Sequence, residues 1–228
     1  MHDPAVGRLL NARSVYAKGH RKNAHSTLEK AMEAEENVEA ALSFHTKCLK
    51  SAADTGDTVV LGLANYRLGR ACILAEDAEA SLQHLDSYLD SCVTTKDLKG
   101  QGQACSALAA AYQTLGDAEK AVKFLQKFLD IAKKTDNLSA QAEACCNLGV
   151  IHNRRGEFDK AVHFFQKNFE YSRSIVSSGN GNRRIVDNAR VNLGMARGNA
   201  QIGSYMNVIS YDLSSLLLWK NRRLDFSR

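Results

Sequence analysis

Residues 101–171 read QGQACSALAAAYQTLGDAEKAVKFLQKFLDIAKKTDNLSAQAEACCNLGVIHNRRGEFDKAVHFFQKNFEY, and this stretch states nearly the same pattern twice at an offset of 40 residues. Leu108 recurs as Leu148 and Gly116 as Gly156. Lys120-Ala121-Val122 recurs as Lys160-Ala161-Val162, and Phe124 with Gln126-Lys127 as Phe164 with Gln166-Lys167. Matches of size and polarity at one fixed separation mark a stacked array of small units, each burying its apolar face on its neighbours, rather than one closed core.

Outward from that stretch the pattern is helical. Leu61, Ala64, Leu68 and Cys72 fall on one face of a helix expected over Thr58 to Leu74, and Leu82, Leu85, Tyr88 and Leu89 on one face of Ala78 to Val93. A loop at Thr94 to Leu98 precedes a helix from Gly100 to Thr114. Gly116 ends that helix, and Asp117 is an N-cap for Ala118 to Lys134. Before these, residues 24–35 and 38–53 read as a degenerate first pair with the polar turn Glu35-Glu36-Asn37. Residues 1–23 read as a basic, poorly docked arm.

After Ile175 the spacing slips, because Leu193-Gly194 follows Leu148-Gly149 by 45 residues. The insert Ser177-Ser178-Gly179-Asn180-Gly181-Asn182 reads as a flexible loop. A helix from Ile185 to Asn199 is expected next. A separate segment from Ser204 to Arg223 follows, too rich in large apolar residues to face water. It would cap the array or dock a partner through Leu218 and Trp219, with Lys220, Arg222 and Arg223 at the rim. The division expected is therefore an arm over 1–23, repeats over 24–203 and a capping or docking helix with a basic tail over 204–228.

Composition agrees with an all-helical fold. The 228 residues are 44% hydrophobic and 24% charged, enough for a substantial core, and Pro4 is the only proline to interrupt helices. The net charge of +5 is uneven: residues 1–22 carry +4, residues 173–228 carry +6, and the repeats between are acidic. So mild a sum does not lead us to expect nucleic-acid binding. No run of about 18 apolar residues predicts a membrane span. The N-terminus carries no apolar block of the secretory kind, and its basic, acid-poor character only weakly admits a mitochondrial leader. The expectation is a cytoplasmic protein with its six cysteines reduced, since they form no C-x-x-C pair.

No cluster for chemistry is expected. His152 and His163 fall on different helices of one hairpin. Cys145 takes the small packing position of Cys105, and Cys146 points toward the groove. Gly179-Asn180-Gly181 has neither the Lys-Ser/Thr nor the preceding strand of a phosphate loop. The reading is a non-enzyme without metal, cofactor or small-molecule substrate, and with protein partners.

The ordered set of Leu148-Gly149, Gly156-Glu157-Phe158 and Ala161 resembles the tetratricopeptide repeat, in a 40-residue version. Glu76 departs from it at the turn glycine, Ser81 at the alanine and Arg197 at an aromatic. The resemblance implies an α-solenoid of helix hairpins with a binding groove. In that groove we place Tyr66, Arg70, Gln103, Gln113, Glu143, Asn153 and Arg154. Only Arg70 and Arg154 approach the basic clamp by which some members grip an acidic chaperone tail, so a chaperone adaptor is not expected. The tail, Asp212-Leu213-Ser214-Ser215-Leu216 into Leu218-Trp219-Lys220 after Gly194-Met195-Ala196-Arg197, resembles that of an axonemal member of the family. What this implies is a cytoskeletal scaffold of motile cilia and sperm flagella with axonemal or dynein-associated partners. That member has a further N-terminal region, so the present chain would be a short form. Asn147-Leu148-Gly149 and Asn192-Leu193-Gly194 also resemble the Leu-Gly-Asn polarity adaptors, which implies a cytosolic or cortical signalling adaptor as the alternative.

Overall fold

The computed structural model describes residues 38–54 and 57–222, and among them every regular element is an α-helix. In order these are α1 (Val38–Ala53), α2 (Thr58–Leu74), α3 (Ala78–Thr94), α4 (Leu98–Thr114), α5 (Ala118–Lys134), α6 (Leu138–Arg154), α7 (Phe158–Ser177), α8 (Arg183–Tyr211) and α9 (Leu213–Arg222). The expected arm over 1–23 and the helix over 24–35 lie outside the described residues. The chain forms two compact units, Met1–Phe124 and Leu125–Arg228.

One three-residue turn joins successive helices from α2 to α7. After each 17-residue helix a residue with positive φ closes the end: Glu76 (61°), Lys96 (56°), Gly116 (78°), Asp136 (48°) and Gly156 (73°). Around each, two backbone bonds satisfy carbonyls that the last helical turn leaves over. Asp77 N–H reaches the Cys72 carbonyl at 2.9 Å and Glu76 N–H that of Ile73 at 3.1 Å, and the same pair recurs at Asp97, Asp117, Asn137 and Glu157. The residue that completes this cap then starts the next helix. Asp77, Asp117 and Asn137 each accept through Oδ1 the N–H three residues on, at 3.0 to 3.1 Å, whereas Asp97 and Glu157 hold the position without that bond.

The loop expected at Thr94 to Leu98 is therefore shorter, Thr95 to Asp97, and α4 starts at Leu98 rather than Gly100. Glu76 takes up the left-handed backbone that a glycine was expected to supply. A side chain there costs roughly 1 kcal/mol, so Glu76→Gly is expected to raise stability by about 1 kcal/mol and Gly116→Ala to lower it by a similar amount. Urea midpoints of the two variants check this, and equal midpoints would show that the turn does not hold α2 and α3 together.

The first unit builds its core from α2, α3 and α4. Leu85, Ala107, Leu108 and Ala111 are buried together, flanked by Tyr66, Ile73, Leu82, Leu89 and Phe124, and a second group joins Tyr88, Cys92 and Ala104. Gly69 sets the approach of α2 and α3, since a Cβ there would lie 2.8 Å from Leu85 Cγ. Gln101 reaches across the α3–α4 turn to give its side-chain amide to the Cys92 carbonyl at 3.2 Å.

The second unit repeats this logic. Gly149 of α6 lies under the ring of Phe165 on α7, where a Cβ would come within 2.8 Å. Ala161, Phe165, Leu193 and Ala196 form its core with Cys146, Val150, Val162 and Phe169 against them. Gln141 gives its amide to the Ala132 carbonyl at 3.2 Å, which explains why glutamine recurs at 101 and 141. The buried Asn168 donates to the Ala142 carbonyl at 2.8 Å, tying α7 to α6.

Two expectations about the C-terminal part are corrected. Helix α7 runs through Ser177 and ends in the usual capped turn at Gly179 (φ 77°), so the insert adds only a short connection up to Asn182, whose Oδ1 caps α8 at Arg184 N–H. The helix expected to end at Asn199 continues to Tyr211, so Ser204 to Tyr211 belongs to α8. Nothing in 199–203 breaks it, and Asn199 turns its side chain to α6 instead of capping.

Candidate protein-binding faces

Four of the groove candidates lie in the first unit. The half-buried Tyr66 ring sits 4.8 Å from that of Tyr88 at 39°, and the exposed Arg70 guanidinium lies 5.9 Å from its centroid. Gln103 is exposed, and its Oε1 accepts from the buried Tyr88 hydroxyl at 3.2 Å. Burial, with neighbouring acidic groups adding to it, pushes that hydroxyl well above the ordinary tyrosine range, which keeps it a proton donor. Gln113 is half-buried on the last turn of α4. Beside it Tyr112 stacks on Phe124 at 5.5 Å, and the Lys120 ammonium lies 5.1 Å from the Tyr112 ring centroid.

In the second unit Glu143 and Arg154 are exposed. Asn153 is half-buried, and its Oδ1 accepts from Asn199 Nδ2 at 3.0 Å. Two further links of α8 were not expected. Asn192 Nδ2 contacts Cys146 Sγ at 3.7 Å, and Arg197 donates to Gln166 Oε1 at 3.0 Å, so the residue standing where an aromatic was expected ties α8 to α7 by hydrogen bonding. On α9 Leu218 and Lys220 are exposed, Trp219 and Arg222 fall within the helix, and Arg223 lies outside the described residues.

The groups weighed for chemistry are engaged in structure. His152 stacks on Phe164 at 5.4 Å and its Nδ1 lies 3.0 Å from Glu157 Oε2, while His163 meets the same phenyl ring edge-on. Glu157 also holds Lys160 and Arg155, each at 2.8 Å. The Lys160 hydrogen bond, helped by His152 and Arg155, brings its carboxyl down to about 2. Burial pushes the Cys145 thiol up to about 11 and raises that of Cys146, the opposite of what a nucleophile needs. Among the described residues no three His, Cys, Asp or Glu side chains form a metal-binding group, and no helix is long and apolar enough to cross a membrane.

Residues 102–174 match the family model described as Tetratricopeptide repeat. The array is of the tetratricopeptide type. Its repeats hold the region of Gly149, Gly156 and Ala161 that first suggested the pattern, and the helices to either side carry the same turn. Among curated proteins none matches the chain in sequence. Two solved structures share this fold. BtubC (BKLC) from P. vanneervenii superposes with a TM-score of 0.72 at 17% identity, over 86% of this chain and 82% of its own. A point-variant form of the nearly identical TPR-like repeats of a putative kinesin light chain from Podosopora anserina gives 0.59 at 16% identity, over 98% and 100%.

Proposed function

We propose that the protein is a non-catalytic scaffold whose tetratricopeptide helices hold segments of protein partners in the axoneme of motile cilia and flagella. The observation that carries the scaffold reading is the division of labour along each helix pair. Small residues and single large ones, as in Gly149 with Phe165, lock the helices together. Polar and aromatic side chains that play no part in that locking are left at the surface on α2, α4 and α6, among them Arg70, Gln103, Glu143 and Arg154. Amides and guanidinium groups so placed suit the backbone and carboxylates of an extended or helical segment.

The axonemal setting rests on the tail, where Asp212 to Lys220 resembles tetratricopeptide repeat protein 29, an axonemal protein. Axonemal or dynein-associated proteins are the partners this reading implies. Immunofluorescence in a ciliated cell tests it, with signal expected along the axoneme. Signal confined to the cytosol or cortex, with recovery of Gα subunits in a pull-down, would replace it by the polarity-adaptor reading. In the same cells Arg70→Ala with Arg154→Ala is expected to leave the helical circular dichroism intact and to reduce partner recovery several-fold. Unchanged recovery would move the binding surface elsewhere.

A further inference from the structure

In the earlier repeats the glycine that follows the repeat's core leucine receives the partner helix, Leu85 over Gly69 and Phe165 over Gly149. The corresponding Gly194 of α8 has nothing within 4 Å of the position a Cβ would take, and neither has Gly198. Helix α8 is thus covered on the side that carries Ala189, Leu193 and Ala196 and bare on the other. Along the bare side run Val191, Met195, Ile202, Met206 and Ile209, each 43 to 57% exposed, at helical spacing over about 27 Å.

We infer that this face of α8 is a self-association surface, on which α8 of a second copy of the chain lies antiparallel. Three features select that occupant. First, the exposed positions mirror one another about residue 200: Val191 and Ile209 stand nine residues to either side, Gly198 and Ile202 two, Met195 and Met206 five and six. A two-fold axis there sets Val191 against Ile209, Met195 against Met206, and Ile202 into the notch at Gly198 of the other copy, as an isologous contact requires. Second, charge on α8 is one-sided. Arg183, Arg184, Arg190 and Arg197 lie in its first half, whereas residues 198–211 carry no charge and Asp212 follows. An antiparallel pair sets each arginine-rich half beside the uncharged half and Asp212 of the other, and a parallel pair would set arginine beside arginine. Third, the glycine notch lets two helices approach closely, as Gly69 and Gly149 do within the chain.

The experiment uses the full chain. Sedimentation equilibrium up to roughly 100 µM is expected to give twice the chain mass, since a single-helix contact of this length supports micromolar rather than nanomolar affinity. Ile202→Glu, at a site already open to water, is expected to weaken association at least tenfold without changing the melting curve of the monomer. Mixing Val191→Cys with Ile209→Cys under mild oxidation is expected to give a linked dimer several-fold above either variant alone, because two copies of residue 191 lie about 27 Å apart along the antiparallel axis. A wild-type chain that stays monomeric throughout this range would overturn the inference and leave the face to α9 or to a foreign helix. Equal cross-linking by Val191→Cys alone, or a dimer unaffected by Ile202→Glu, would overturn it as well.

Discussion

Gly149→Val is expected to destabilise the second unit by about 3 kcal/mol, the upper end of what overpacking costs. The new Cβ would sit 2.8 Å from two carbons of the Phe165 ring, and that ring is itself 3% exposed with Ala161, Leu193 and Ala196 around it. No flexible tip gives way there, so α6 and α7 must separate. Gly194→Ala, at the matching place in the pattern, is expected to do the reverse. With open space around the added methyl, only the helix propensity changes, and stability rises by about 1 kcal/mol. Opposite signs at two positions that look alike in sequence test the packing directly. Parallel losses in the urea midpoints of both variants would mean that α8 is covered as α6 is.

The second large effect is acid sensitivity centred on His45. This residue of α1 is fully buried, and neither ring nitrogen finds a hydrogen-bond partner among the described residues. Burial, and after it the charge of Arg67, brings its pKa down from 6.5 to about 4. Because the folded value lies below the unfolded one, the unfolded chain binds the proton first. The neutral imidazole's contribution is whole above pH 6.5 and is lost as the pH falls toward 4. The loss amounts to on the order of 3 kcal/mol across that window. His45→Leu removes the titration, so the stability gap between wild type and variant is expected to change by about that amount between roughly pH 7 and pH 4. A gap that stays constant with pH would show the ring to be solvated.

The fold was legible because packing repeats every 40 residues, and Leu108 with Leu148, or Ala121 with Ala161, must be large or small for the same reason each time. The finer 20-residue beat was hidden. Its left-handed position is glycine at 116 and 156 but Glu76, Lys96 and Asp136 elsewhere, since the backbone geometry there merely prefers glycine. Only the acidic or amide residue that follows, Asp77 through Glu157, marks the beat, through a cap rather than through burial. The length of α8 could not be read for a related reason: a helix continues wherever nothing stops it, and Asn199 is engaged with Asn153. The groove candidates were harder still. Tyr66 is an aromatic in helical register, and whether such a ring faces a ligand or Tyr88 depends on residues 22 positions away. The ties from Asn192, Arg197 and Asn199 cross an insert that shifts the register by five.

A chain assembled from identical 20-residue steps, in which the end of one helix cap is the beginning of the next, has an arithmetic of its own. Removing or duplicating 40 residues at any of the turns rejoins the same kind of cap and returns each helix to a neighbour of the kind it already had. Removing 20 would rejoin the cap equally well but set a glycine-notched helix such as α6 where a phenylalanine-bearing one such as α7 belongs. In-frame changes of length in such a gene are thus filtered by side chains rather than by backbone, with even numbers of helices tolerated and odd numbers purged.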